Sequence, residues 1–242
     1  MYRVRKKWAD AASQIGAYEI YANALAECNK HPGYGIYDDN GMIVYAYIPT
    51  MSYKAKLLKN CGSHKKGEKV TVTRNRKKQW IMKDGTVVPE KSYLDLTKQI
   101  YDADCKFSEE CAEWWINSQK IGSDTDWLFW ANKYTQHVYI FRGSKKQWRL
   151  HKTYKCGTGS IADGDGGDPG VYFGAKIYDK QEAYKGPRVM QYWNMHYSSP
   201  WGNSIHRGTT GKPSTHGCIA LGVTAAKWAF DNLPLNSRVV VF

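Results

Sequence analysis

Of the six cysteines in this chain, one stands where a thiol could act as a nucleophile. Cys218 lies in Ser214-Thr215-His216-Gly217-Cys218-Ile219-Ala220-Leu221. A glycine directly before a thiol lets the backbone approach a substrate closely. It also lets the N–H groups of Gly217 and Cys218 converge unpaired, as an oxyanion hole requires. A thiol becomes a thiolate near neutral pH when a base stands within about 3 Å. No histidine follows Cys218, so a Cys-then-His order is excluded and the base lies upstream. The candidates are His206, in Asn203-Ser204-Ile205-His206-Arg207-Gly208, then His196, then His216. His216 is two residues from the thiol, and in an extended segment its side chain need not meet it. Two other readings use the same residues. One is a packed structural thiol. The other is a zinc site of His206, His216 and Cys218, which the lack of a fourth ligand at usual spacing sets last.

The remaining cysteines look inert. Cys28 falls on an apolar helical face, and Cys61, Cys105, Cys111 and Cys156 form no CxxC pair. An even count permits three disulfides, which a chain of 242 residues does not need.

The elements that must hold Cys218 read as strands. From residue 126 the runs DWLFWA, HVYIFRG, QWRLHKTY, VYFGAKIY and RVMQYWNMHY follow one another. Thr224 is placed to cap a late helix, AAKWAFDNL, and Arg238 to Phe242 closes as a strand. The rest of the chain reads as three smaller pieces. Residues 1–49 suit a β-α-β-β unit. Its helical face is Ala17, Ile20, Tyr21, Ala24, Leu25 and Cys28, and its hairpin turns at Asp38-Asp39-Asn40-Gly41. Residues 53–98 suit a small barrel-like β-module. Residues 99–122 suit a linker with a helix over 107–118, capped by Ser108 and stopped by Gly122. The fold class expected is therefore mostly β and multi-domain, with the chemistry in residues 123–242.

Composition narrows the function classes. Hydrophobic residues at 42% and charged residues at 24% exclude a disordered chain, and 14% aromatics suits short strands and binding surfaces for sugars or peptides. No apolar run of 18 residues occurs, so no membrane span is expected, and the start MYRVRKKWADAAS is not a secretory signal peptide. The net charge of +13 is uneven: residues 53–98 hold thirteen basic against four acidic residues. Such a module suits nucleic acid, the anionic polymers of a bacterial wall, or simply solvated sheet edges. No phosphate-cradling motif accompanies it, which sets nucleic acid last.

These motifs carry a resemblance. Ser214 to Leu221 resembles the SHGC(I/V)RL signature of the YkuD-type L,D-transpeptidases, cysteine enzymes that cross-link bacterial peptidoglycan. Ile205-His206-Arg207-Gly208, with its histidine twelve residues before the thiol, resembles that family's IHG segment. DWLFWANKYTQHVYIFRG resembles the opening strands, and Asp168 to Phe173 the TPxGxF element, with Asp168 for Thr and the glycine one place early. The usual arginine after Gly-Cys-Ile is Ala220, and the gap between histidine and thiol box is short, which keeps His196 in contention. The first 49 residues resemble SPOR-like repeats, and residues 53–98 bacterial Src-homology-like wall-binding barrels.

The resemblance implies catalytic Cys218, His206, His216 and Gly217, substrate contacts from Ser214, Thr215, Tyr192, Trp193 and His196, and no cofactor. It implies peptidoglycan stem peptides and glycan as partners, with anionic wall polymer for the basic module, and a place at the extracellular wall. The alternatives are an L,D-carboxypeptidase using the same thioester, and a catalytically dead wall-binding protein.

Overall fold

The computed structural model describes residues 1–162, 171–186, 189–198 and 202–242. The chain is mostly β, with three α-helices and three sheets among these residues. No helix among them is long and apolar enough to cross a membrane.

The first sheet joins β1 (Tyr2–Arg5), β2 (Gly16–Tyr18), β3 (Gly35–Tyr37) and β4 (Ile43–Ala46) in the order β2-β1-β3-β4. Helix α1 (Tyr21–Cys28) packs Ala24 and Cys28 against Val4 and Ile36. The helix expected from Ala17 starts four residues late, because Gly16 to Tyr18 pair with the open edge of β1. Backbone pairing to a sheet edge here overrides the helical period, so the unit is β-β-α-β-β rather than β-α-β-β. The hairpin stands where expected: Asp38 accepts from the N–H groups of Asn40 and Met42 at 2.9 and 2.8 Å, and Gly41 takes φ +80°.

The second sheet joins β5 (Ser52–Leu57), β6 (Lys69–Arg74), β7 (Trp80–Met82), β8 (Val87–Val88) and β9 (Leu94–Ile100) in the order β8-β7-β6-β5-β9. Its core is Met51, Tyr53, Leu57, Val72, Trp80 and Met82. β8 and β9 lie at the two edges of this sheet and do not pair, so the barrel expected over residues 53–98 is open among the described residues.

Helix α2 (Glu109–Ser118) is capped by Ser108, whose hydroxyl accepts from Cys111 N–H at 3.2 Å. Ser108→Ala should lower stability by about 1 kcal/mol, read as a shifted midpoint in chemical denaturation. The helix ends before the expected Gly122: Gln119 is its C-cap and Lys120 adopts φ +56°. The helix within residues 99–122 makes contacts on both sides. Trp115 stacks on Trp130 at 4.1 Å, Trp148 donates to the Ile121 carbonyl at 2.8 Å, and Glu110 accepts from Tyr37 at 2.6 Å and from Trp8 N–H at 3.0 Å. The helix thus ties the first sheet to the third.

The third sheet contains β10 (Trp127–Asn132), β11 (His137–Arg142), β12 (Arg149–Gly157), β13 (Tyr172–Lys176), β14 (Asp179–Lys185), β15 (Met190–His196), β16 (Ser204–Arg207), β17 (Ile219–Leu221) and β18 (Arg238–Val241). Their order is β13-β18-β10-β11-β12-β17-β16-β15-β14. Strand alternation feeds two cores: Phe129, Ala131 and Ile140 face helix α3 (Val223–Asn232), while Leu128, Trp130 and Tyr139 face α2. Gly222, not Thr224, takes the N-cap of α3, which begins directly after β17. The expected Asp168 element lies mostly outside the described residues; Val171 precedes β13, and Tyr172 and Phe173 open it.

Candidate active site

Two short strands bring Cys218 and His206 together. Strands β16 and β17 run parallel, with Ile205 opposite Ile219 and His206 opposite Ala220. Both isoleucines descend into the core. Alternation therefore turns Ser204 and His206 to the other face, where Cys218 stands directly before β17.

His206 is buried on the strand beside Cys218, and the two side chains interact electrostatically. Its Nδ1 donates to the Arg207 carbonyl at 2.8 Å, which leaves Nε2 for the thiol. Burial pushes the Cys218 thiol up, but the bond to His206, the imidazolium charge and contacts from Ser204 outweigh it, and the thiol lies below its ordinary value. For His206, burial favours the neutral ring, but the bond to Cys218, the thiolate charge and the Arg207 carbonyl outweigh it, and the ring lies above its ordinary value. Each group shifts the other toward its charged form, the direction that activates a thiol.

The other thiols differ. All six cysteines are free. Burial pushes Cys28 and Cys105 up to about 12 and Cys111 up to about 11, and raises Cys156 further still. Cys61 is buried. Limiting iodoacetamide at pH 7 should therefore modify Cys218 before any other cysteine, as read by peptide mass spectrometry. Equal labelling of several thiols would contradict the assignment.

The rival bases are accounted for. His196 is buried on β15, its Nδ1 3.1 Å from Asp179 and its ring between Tyr178 and Tyr184. It neighbours the site face, opposite Ser204, but its ring is held by Asp179. His216 is exposed, and the hydrogen bonds to the Cys218 thiol come from His206 and Ser204.

The oxyanion donor expected from Gly217 is already used. Its N–H donates to Thr215 Oγ1 at 3.2 Å, and Thr215 in turn donates to the Cys218 carbonyl at 2.7 Å. Thr215 thus shapes the turn that presents the thiol. Gly217 is required there for another reason: φ is +127°, and a Cβ would lie 2.8 Å from Asn203 Oδ1. Ser214 is pinned similarly, its N–H to the Thr158 carbonyl at 2.8 Å and its hydroxyl to the Thr209 carbonyl at 3.3 Å. Trp193 packs against the core with φ +52°, whereas Tyr192 is exposed beneath the Arg207 guanidinium at 5.0 Å.

Residues not singled out in the sequence complete the site. Ser204 Oγ lies 3.7 Å from Cys218 Sγ and accepts from Asn194 at 2.9 Å. Its position two before His206 was the available signal, since strand alternation puts both on one face. Tyr197, buried, donates to the Gly217 carbonyl at 3.2 Å. Among the described residues no group of three or more His, Cys, Asp or Glu side chains is arranged to hold a metal ion.

No curated protein matches the sequence. Among solved structures, a fused zinc-dependent amidase/peptidase/peptidoglycan-binding domain-containing protein from Clostridium acetobutylicum is 25% identical, with a TM-score of 0.46, over 55% of this chain and 59% of its own. An L,D-transpeptidase from Stackebrandtia nassauensis is 18% identical, with a TM-score of 0.40, over 52% and 59%. L,D-transpeptidase 1 of Mycobacterium tuberculosis is 14% identical, with a TM-score of 0.38, over 48% and 61%. The aligned region thus spans about three-fifths of each of these chains. The family model that matches is YkuD, described as the L,D-transpeptidase catalytic domain, and residues 126–241, which hold Cys218 and His206, are the part of the chain that matches it.

Proposed function

We propose that this protein is a peptidoglycan L,D-transpeptidase acting through a Cys218 thioester at the extracellular wall. The observation that carries the reading is the placement of His206 on β16 beside Cys218, inside the segment that matches the family. The Cys218 thiolate adds to the carbonyl of a donor stem peptide, between an L-centre and a D-residue. The tetrahedral oxyanion collapses, the bond to the D-residue nitrogen breaks, and the His206 imidazolium gives that nitrogen its proton. A thioester remains. The amine of a second stem attacks it, His206 takes the amine's proton, and the amide forms as the thiolate is released. With the Gly217 N–H engaged by Thr215, the Cys218 N–H is the donor we assign to the oxyanion.

The first two sheets are proposed as wall-binding modules, at residues 1–49 and 53–98. The aromatics of the first are partly committed within it: Arg5 and Arg3 lie 4.7 and 5.9 Å from the Trp8 ring, and Tyr2 meets Tyr21 edge-on at 5.2 Å. This favours the basic second module as the one that meets anionic wall polymer.

The test is mass spectrometry of purified stem peptides incubated with the full chain, with and without an added amine. Cross-linked product and a Cys218 acyl adduct are expected. Hydrolysis alone, with amine present, would make the protein an L,D-carboxypeptidase. Neither product nor adduct would leave a binding protein without catalysis.

A further inference from the structure

The hairpin turn between β6 and β7 reaches from the basic module to the third sheet. Its residues are Asn75-Arg76-Lys77-Lys78-Gln79. Asn75 N–H donates to the Gln79 carbonyl at 3.0 Å, Gln79 N–H to Asn75 Oδ1 at 2.9 Å, and Lys78 N–H to the Asn75 carbonyl at 2.9 Å. The turn is thus fixed, and it holds Lys78 at φ +65°, where a glycine would sit more easily.

Two cations of this turn stand over aromatic rings of β13. The Arg76 guanidinium lies 4.4 Å from the Phe173 ring and donates to Gln119 at 3.2 Å, and Lys78 Nζ lies 5.3 Å from the Tyr172 ring. Together with Tyr197 they line a cavity of about 430 Å³. The cavity is coupled to the thiol turn by its floor. Tyr197 donates to the Gly217 carbonyl, and Tyr172 accepts from Asn203, the side chain that packs beneath Gly217.

Among the described residues, neither Arg76 nor Lys78 pairs with a carboxylate. Ring-face contacts leave their N–H edges for a ligand: arginine has five donors and lysine three. Ala220, just past the thiol, is buried and brings no charge. A volume of this size suits a small-molecule site, and the aromatic floor accommodates the apolar part of a ligand whose anion meets the two cations.

We propose that Arg76 and Lys78 form, with Tyr172, Phe173 and Tyr197, a subsite for a free carboxylate of the peptide substrate, so that the basic module is part of the active site. This rests on the peptide-acyl-transfer reading above. A carboxylate could come from the C-terminus of the peptide or from an acidic side chain within it, and amidating each position separately tells which.

The experiment compares the full chain with Arg76→Ala/Lys78→Gly and with Lys78→Arg. Each is given the stem peptide as carboxylate and as carboxamide, and two quantities are read. One is kcat/KM. The other is protection of Cys218 from iodoacetamide by the peptide, which also reports whether the thiol site stays formed in each variant. The wild-type chain should favour the carboxylate by about 10–100-fold, the range for hydrogen bonds to a charged group. The double variant should use and bind the two peptides alike, and Lys78→Arg should keep the preference. A pure docking role would weaken both peptides equally and leave the preference intact, which overturns the subsite. So does a wild-type chain indifferent to amidation. If the wild-type chain turns over neither peptide, the acyl-transfer reading fails, and protection decides the subsite alone: carboxylate-selective protection lost in the double variant supports it, and unselective or absent protection overturns it.

Discussion

Cys218→Ala should abolish thioester formation and lower turnover of a stem-peptide donor by on the order of 10⁶-fold, the scale seen when a nucleophile is removed from catalytic groups that act as a unit. The reason is local. Every other cysteine with a shifted thiol is raised, to about 11 or about 12 for Cys111, Cys28 and Cys105, and only Cys218 is lowered. No second thiol can take over. The side chain is half-buried directly before β17, whereas Ile219 and Leu221 pack in the core, so alanine should leave their packing in place. Release of the terminal D-residue, followed by mass spectrometry, is the measurement, with thermal unfolding as the check on the fold. Activity within tenfold of wild type would remove Cys218 from the mechanism.

His206→Ala should lower turnover by about 10²–10⁴-fold, the range for loss of a general acid–base group, and should move the pH dependence as well. In the wild-type chain the thiol is lowered, so the thiolate is present above the folded value of Cys218 and is lost as pH falls through it. The imidazole is raised, so the imidazolium is present below the folded value of His206 and is lost as pH rises through it. Activity should be bell-shaped, with apparent limits belonging to the pair. Without His206, burial pushes the thiol up with only Ser204 to oppose it. The pH profile of Cys218 alkylation should then shift to higher pH, and the alkaline limb should disappear. His196→Ala should do neither, since that ring is held by Asp179 on β14. If His196→Ala produces these effects and His206→Ala does not, the base is misassigned.

Much of the fold was legible where a local rule acts alone. The Asp38-Asp39-Asn40-Gly41 hairpin follows from turn chemistry, and the Ser108 cap from side-chain geometry at a helix start. The runs from residue 126 follow from the apolar content of strands buried on both faces, as in β10. The local rules failed where another element competed. The open edge of β1 took Gly16 to Tyr18 from the helix that their spacing suggested. Lys120, not Gly122, took the left-handed position after α2. That helix was drawn into the core because its tryptophan found Trp130, a contact between residues distant in sequence.

For the site, the sequence by itself singled out Cys218 as the candidate nucleophile and the direction in which a base for it must lie. A glycine before a cysteine, and no histidine after it, are facts of order along the chain. Which of the three upstream histidines stands on the strand beside Cys218 is shown only by the tertiary structure, and on that ground we propose His206 as the base. The choice depends on which strand β17 pairs with, and a parallel partner such as β16 is set by the packing of Ile205 and Ile219 rather than by proximity in sequence. The same holds for Ser204, brought to the thiol by that register, and for the Gly217 N–H, claimed by a hydroxyl two residues away. Hydrogen-bond competition and strand register are properties of the folded surroundings, because each depends on the partner that packing brings within about 3 Å, and the order of residues alone does not specify that partner.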